Sequence, residues 1–479
     1  MQTIERDVAI IGAGTAGLNA RRAALREGAT VVMIEAGPHG TTCARVGCMP
    51  SKLLIRAAEA AHEVAHAGTY GIDVDGYSVD AQKVFERVRS ERDRFVGFVL
   101  EAVDHIPDDQ KLTGRATLVS DHIVEVGDHT RVHAKTVVIA TGSSPFVPPQ
   151  LRPLEDRLLG NDEIFEIETL PKSLAVFGMG VIALEVGQAL HRLGVEVTFF
   201  SIDDRIGPIS DPIVLHKAHE VFGRELRMFA GADIHEVEAH GERGVRVRWS
   251  CHRQTTHQED FDAVFVATGR RPNVHGLGLE ATSATLDERG MPSFDVRTGQ
   301  IEDLPIFIAG DATGERTLLH EAADEGQQAG ANAATWPHVR ARTRRTGLGV
   351  MFTAPNIAIV GDGWSSLDPD TVAVGEVSFD NQGRSRVMGE NAGIARLYAT
   401  RKCGYLVGAE LLGPRVEHIA HLLAWAVQSR MTVEQALQMP FYHPVVEEGI
   451  RTALRDLAEN LRIAELPCEG DDMRDGPGA

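Results

Sequence analysis

Cysteine is scarce in this sequence, with five residues, at 43, 48, 251, 403 and 468, in a chain of 479. So few exclude a disulfide-stapled scaffold and fit a reducing, cytoplasmic compartment. Positive charge is also in short supply: 48 Lys and Arg face 68 Asp and Glu, a formal net charge of −20. A nucleic-acid binder needs a basic footprint for the phosphates, so no nucleic-acid partner is expected. Acidity alone speaks for solubility rather than for a basic partner. Long apolar runs are missing as well. The opening MQTIERDVAIIGAG holds a run far shorter than the ~20 residues of a membrane span and does not read as a signal peptide, so no membrane association is expected.

What is present begins with a repeated pattern. Residues 7–11 (DVAII) read as a buried strand, GAGTAG at 12–17 turns into an Ala- and Arg-rich helix, and VVMIE at 31–35 reads as a second strand. LAVFGMGVIALEVGQALHRLG at 174–194 followed by VEVTFF at 195–200 repeats it. Each is a β-α-β unit of the length a dinucleotide fold uses, and two of them imply two bound nucleotides. Between them, residues 57–105 read as helical and TVVIATGSSP at 136–145 as a strand ending in a turn. AVFVATGRRPN at 263–273 echoes that turn, and IFIAGDAT at 306–313 is another buried strand ending at an acid. The remainder alternates strand patterns with helices at 414–430 and 432–438. The predicted fold class is α/β, with two Rossmann-type dinucleotide-binding domains plus a C-terminal α+β domain. The expected boundaries are 1–148 and 272–346 for the first domain in two parts, 149–271 for the second, 347–465 for the third, and 466–479 for a flexible tail.

In Gly12-Ala-Gly14-Thr-Ala-Gly17 the first glycine permits the tight turn, the second lets a pyrophosphate approach the backbone, and the third lets helix and strand pack closely. Glu35 closes the second strand about 20 residues on, where an acid can bind ribose hydroxyls. The alternative is a glycine-rich turn with no ligand. The second fingerprint, Gly178-Met-Gly180-Val-Ile-Ala183, has Ala at its third position. Ser201-Ile-Asp203-Asp204-Arg205 follows its second strand. An acid there favours NAD and a base NADP. Asp203 or Asp204 could take the ribose, or both could be solvated turn residues.

The cysteine pair lies in Gly40-Thr-Thr-Cys43-Ala-Arg-Val-Gly-Cys48-Met-Pro50-Ser-Lys52. Residues five apart in a regular helix rise about 7.5 Å, beyond the ~7 Å between Cα atoms that a disulfide tolerates. A bridge therefore needs a distorted helix start, which Gly47 permits, while Pro50 suits an early helical turn. Lys52, four residues after Cys48, supplies an ammonium that stabilises thiolate. The other readings are two buried free cysteines or half a zinc site, and no second Cys/His pair with ligand spacing lies nearby, so no metal is expected.

These residues together resemble the flavoprotein pyridine nucleotide–disulfide oxidoreductase family, most closely its dihydrolipoyl dehydrogenases. The family's GGTCxNxGCxPSK appears here as GTTCARVGCMPSK, departing at Thr41 (Gly in the family) and Arg45 (Asn). ATG at 140–142 and 267–269, Gly310-Asp311 and FTAPNIAIVG at 352–361 match in order. The family's HPTxxE appears as His443-Pro444-Val-Val-Glu-Glu448, with Val445 in place of Thr. Asn356 replaces the family's usual Glu. The resemblance implies FAD on Gly12, Gly14, Gly17, Glu35, Thr141, Gly142 and Asp311, with Lys52 by the flavin ring and Glu185 as its ion partner. It implies NAD, with NADP not excluded, on Gly178, Gly180 and Gly269. Cys43 and Cys48 become the redox pair, and His443 with Glu448 the base and its orienter. Glu185 as a surface helix acid and His443 as a structural residue are the bland alternatives, and His320 reads as a packing or cofactor-lining residue.

By the same resemblance the C-terminal domain is a dimerisation domain and the chain a homodimer, acting on free dihydrolipoamide or a lipoyl-bearing protein. Glutathione reductases usually carry PKK after the redox motif, mercuric reductases end in vicinal cysteines, and soluble transhydrogenases lack the pair. The sequence has PSK, a single Cys468 in its tail, and both cysteines. A flavoprotein with a regulatory or structural role is the competing reading from another class.

Overall fold

The computed structural model describes residues 1–242, 244–251 and 255–461; the expected tail, 466–479, lies outside them. The chain divides into two compact units. One comprises Met1–Leu53, Phe85–Phe146 and Gly269–Arg344; the other comprises Leu54–Val84, Val147–Thr268 and the chain from Arg345 onward.

The first unit is built on a parallel sheet. Gln2–Ile11 lies between Val31–Glu35 and Thr130–Ile139, and Ile306–Ile308 pairs with Thr130–Ile139. The central residues Val8, Ala9 and Ile10 are fully buried, because helices cover one face and the strands Ala116–Ser120 and Ile123–Val126 the other, which leaves a parallel strand no solvent side and requires an unbroken apolar run. The carboxyl ends of these strands stop in register, with Ile11 beside Ile34 and Ile139. That edge is where ligands of open α/β sheets sit. Helix Thr15–Arg26 packs against helix Leu319–Thr335 with almost no space between backbones. A Cβ on Gly326 would lie 2.2 Å from the Ala16 oxygen, and one on Gly330 2.1 Å from that of Ala20.

The expected helix over 57–105 is two helices. Cys48–Ala65 ends in a short 3-10 turn, Ala67–Tyr70, and a new helix runs over Ala81–Asp104. Gly71 at φ 75° and Gly76 at φ 85° break the run, conformations a helix interior cannot hold.

The second unit repeats the parallel motif. Ser173–Phe177 pairs with Glu196–Phe200 and with Ala263–Val266. A three-stranded antiparallel sheet, Ala232–His240, Gly244–Cys251 and Thr256–Phe261, adds Val245, Val247 and Trp249 to the same core as Phe177 and Phe200. The C-terminal part is a five-stranded antiparallel sheet with helices Val416–Gln428 and Glu448–Asn460 contributing to its core. Two buried acids tie it to the nucleotide half. Asp211, fully buried, accepts from Arg396 Nε at 2.8 Å and Tyr398 Oη at 2.9 Å. Glu410, also fully buried, accepts from the backbone N–H groups of Ser210, Asp211 and Trp364. Such charges are tolerable inside only when every lone pair is answered.

In the first unit, burial pushes the Glu325 carboxyl up to about 7 from its ordinary 4.5, against the Gly310 N–H and Arg344. Arg344 is shared, bonding Glu325 at 2.6 Å and Glu321 at 3.1 Å. The fold thus favours the protonated form. Its stabilising share is full below about pH 4.5 and is lost as pH rises through about 7, an effect of roughly 1–3 kcal/mol. Glu325→Gln is expected to flatten that part of the stability profile, read as urea midpoints at pH 5 and pH 8. An unchanged pH 5 to pH 8 difference would contradict it.

Candidate active site

The cysteines sit on either side of a helix break. Thr42–Val46 is a single helical turn, Gly47 leaves the helical region at φ −124° and ψ −115°, and a new helix begins at Cys48. A Cβ on Gly47 would lie 3.3 Å from the Cys43 Cα and 3.1 Å from the Thr42 oxygen, so the chain folds back closely enough for the two side chains to meet. They hydrogen-bond, and that bond, with burial and the neighbouring Cys48 charge, pushes the Cys43 thiol far up. The Cys48 N–H and Lys52 pull the other way. Cys43 is half-buried and Cys48 exposed. The difference in burial favours the negative charge of the reduced pair on the exposed Cys48.

Thr41 caps the short turn, its Oγ1 accepting from the Ala44 N–H at 3.3 Å. It does so at φ 60° and ψ 147°, a region that costs a non-glycine residue of order 1–3 kcal/mol. The stem of Arg45 lies over Gly40, whose Cβ would be 3.0 Å from Arg45 Cδ. Both departures from the family motif thus shape the loop without supplying a redox atom.

Two glycine turns offer matching cradles. Gly12, at φ 108°, would place a Cβ 2.2 Å from the Ala140 oxygen, and Gly17 one 1.9 Å from the Gly12 oxygen. Gly14 faces open space, the room a pyrophosphate requires. In the second turn Gly178, at φ 113°, is equally crowded and Gly180 equally open. Ala183 is fully buried in the third position. Glu35 accepts from the Ala13 N–H at 2.7 Å and the Gly37 N–H at 2.8 Å, which places its carboxylate beside the first turn. These residues fit dinucleotides at both turns.

At the same strand-end edge of the first unit, Thr141 Oγ1 donates to the Asn273 oxygen at 2.7 Å, and Asn273 Nδ2 returns a bond to the Thr141 oxygen at 3.0 Å. Gly142 at φ 70° and Gly269 at φ 109° are both open. Asp311 accepts from Ser143 Oγ at 2.8 Å, and Arg270 clamps Ser143 from the other side. Ser143, Asn273 and Arg270 escaped the sequence reading; only the GRRPN run after the second ATG hinted at them. His320 is exposed at the start of its helix, so packing does not account for it.

Glu185 is 3% exposed and accepts from the Phe352 N–H at 2.8 Å. The surface-acid alternative is thereby overturned: the helix Val181–Arg192 turns this face inward, and Gln188 beside it bonds both the N–H and the oxygen of Ala354 at 2.8 Å. Asn356 bonds the Thr353 oxygen at 2.6 Å. In the C-terminal part, His443 Nδ1 stands 2.9 Å and 3.1 Å from the two Glu448 oxygens. Val445 adds its own N–H to Glu448 at 3.2 Å, a bond that does not need the hydroxyl of the family's Thr. The described geometry therefore joins Cys43, Cys48 and Lys52 in one unit and His443 with Glu448 in the other.

Two dinucleotide turns and a pair of contacting thiols at a helix start define a nucleotide-dependent dithiol–disulfide protein. Family models agree. That of pyridine nucleotide-disulphide oxidoreductase matches residues 6–326, and that of the dimerisation domain of the same family residues 348–454. The chain belongs to the pyridine nucleotide-disulphide oxidoreductase family, whose members are FAD-dependent and use a nicotinamide nucleotide. Among relatives, a dihydrolipoyl dehydrogenase of Chlamydia pneumoniae is 30% identical over 93% of this chain and 95% of its own. A mercuric reductase of Shigella flexneri is 31% identical over 96% of this chain and 82% of its own. The crystal structure of LpdA from Mycobacterium tuberculosis matches with a TM-score of 0.80 at 25% identity, covering 95% of this chain and 99% of that one. Among the described residues no helix is long and apolar enough to cross a membrane.

The difference in burial makes the two cysteines unequal. In the FAD-bound protein Cys43→Ser is expected to show a long-wavelength thiolate-to-flavin absorption without any reductant. Cys48→Ser should lack it and leave a readily alkylated thiol. Identical spectra from the two variants would refute the assignment.

Proposed function

We propose that the protein oxidises dihydrolipoyl groups with NAD+ through a Cys43–Cys48 disulfide. The observation that carries this reading is the thiol–thiol contact across Gly47, with Lys52 one turn along the same helix. Dihydrolipoyl dehydrogenases among the relatives, matched over most of their length, support the lipoyl substrate.

His443 takes the proton of an incoming thiol on the ring nitrogen that Glu448 leaves open, since only thiolate is an effective nucleophile. The substrate sulfur bonds to Cys43 Sγ, the Cys43–Cys48 bond breaks, and Cys48 leaves as thiolate. The second substrate sulfur then displaces Cys43, closing the lipoyl disulfide and leaving both electrons on the cysteine pair. Glu448 holds the imidazole in the useful tautomer and stabilises it when charged. Bound FAD supplies the two-electron relay from this pair to the nicotinamide. Gly12, Gly14, Gly17, Glu35, Thr141, Gly142 and Asp311 would hold it, with Lys52 by its ring. Gly178, Gly180 and Gly269 would hold the nicotinamide nucleotide.

The direct test is steady-state turnover of four substrates with each nicotinamide. Dihydrolipoamide with NAD+ is expected to give the highest kcat/KM. Faster reduction of glutathione disulfide or Hg(II) by NADPH would replace the substrate assignment with a reductase of the same chemistry. No turnover with any of them would favour the regulatory or structural reading.

In the homodimer we assign His443 and Glu448 of one subunit to the cysteines of the other, as the family resemblance implies. Cys48→Ser and His443→Ala variants, each inactive, are refolded together with FAD. Random pairing makes about half the dimers hybrid, each with one intact site, so about a quarter of all sites should work. A mixture as dead as its parents, with hybrids present, would place the whole site within one chain.

A further inference from the structure

The two nucleotide turns of this chain can be compared residue by residue, because the same hydrogen bond fixes both. Gly12 N–H donates to the Ile34 oxygen and Gly178 N–H to the Phe200 oxygen, each at 2.8 Å. Ile11 pairs with Ile34 as Phe177 pairs with Phe200. The next residue is Glu35 in the first turn and Ser201 in the second. The position where an acid meets the ribose is therefore neutral in the second turn.

A carboxylate nevertheless reaches it. Ser201 Oγ donates to Asp203 Oδ1 at 3.1 Å, drawing the Asp203 side chain back toward the strand end. The same oxygen accepts from the Arg205 N–H at 3.2 Å, and the Arg205 guanidinium stands 3.8 Å from the other oxygen. The segment is held in place from the next strand, with Gly231 N–H on the Asp203 oxygen and Ala232 N–H on the Ser201 oxygen. Asp204 is fixed through its backbone, its oxygen accepting from His219 Nε2 at 2.7 Å.

We propose that Asp203, positioned by Ser201, is the residue that reads the ribose 2′ position and selects the nucleotide lacking a 2′-phosphate. This rests on reading the Gly178–Ala183 turn as the nicotinamide-nucleotide site. A ribose 2′-hydroxyl donates to the carboxylate, whereas a 2′-phosphate meets like charge at short range. Asp203 also occupies Arg205, the one basic side chain in the segment 201–205, which would otherwise answer a phosphate.

The test is binding rather than turnover. The FAD-bound protein, its first turn filled, is titrated calorimetrically with ADP-ribose and with 2′-phospho-ADP-ribose. The wild type is expected to prefer ADP-ribose by about tenfold or more, and Asp203→Asn to bring the two within about threefold, chiefly by tighter binding of the phosphorylated probe. Ser201→Ala, which frees the carboxylate to swing away, should lower the preference part of the way. A preference that survives Asp203→Asn, or that moves with Asp204→Asn instead, overturns the residue assignment alone. Equal binding of both probes to the wild type does the same. Binding of neither overturns it together with the reading of the second turn.

Discussion

The hydrogen bond between the Cys43 and Cys48 side chains exists because one residue, Gly47, interrupts a helix. In a continuous helix the five-residue spacing would carry the sulfurs apart along the axis. The break turns that rise into a fold-back, with Gly47 against the Cys43 Cα. The new helix starts at Cys48 itself, so the exposed sulfur sits where unsatisfied N–H groups and the helix dipole favour negative charge. Burial of Cys43 and exposure of Cys48 push the same way, since the charge settles where solvent and dipole accept it. Upstream of the break, Thr41 holds a conformation that glycine would enter freely, and its cap on Ala44 offsets part of that cost.

The chain solves the problem of placing a dinucleotide twice with one device and varies only what the ligand end sees. Both first glycines sit at positive φ against the carbonyl of the neighbouring parallel strand, both second glycines are open, and both helices begin directly after. The third position tolerates Ala183 in the second turn, whereas at Gly17 a Cβ would run into the Gly12 oxygen. Backbone packing sets the invariant parts. Side chains at the strand ends, Glu35 and Ser201, are free to differ because they point out of the packed layer.

Local signals of this kind were legible in the sequence. The strand–GxGxxG–helix runs at 7–26 and 173–192 mark both turns, since each depends on neighbours within about twenty residues. The need for a helix break between the cysteines follows from spacing alone. Features made by distant contacts were not. Nothing near Glu185 signals that residue 352 will cover it, and the acid reads equally well as a solvated helix face. Asp211 and Glu410 look like ordinary turn and strand acids until Arg396, Tyr398 and Ser210 surround them. The loop at 71–80 was missed for another reason: the apolar residues before and after it keep helical periodicity, and only its glycines mark the interruption.

His443 and Glu448 lie in a short stretch, yet their geometry is set from further away. Glu448 opens the helix Glu448–Asn460, where a carboxylate complements the dipole. That helix is anchored by Ala453, Leu454 and Leu457, all buried. It lies so close to strand Val372–Ser378 that a Cβ on Gly375 would come within 2.2 Å of the Ala453 oxygen. The His443 imidazole is thus oriented by an acid on a rigid element whose seat is a glycine some seventy residues earlier in the chain. A side chain at 375 would lift the helix, and with it the Glu448 carboxylate, by an appreciable fraction of a hydrogen-bond length. The imidazole would lose its partner while every atom of the pair remained present, so the position of the ring is a property of the sheet and not of the two residues that form the pair.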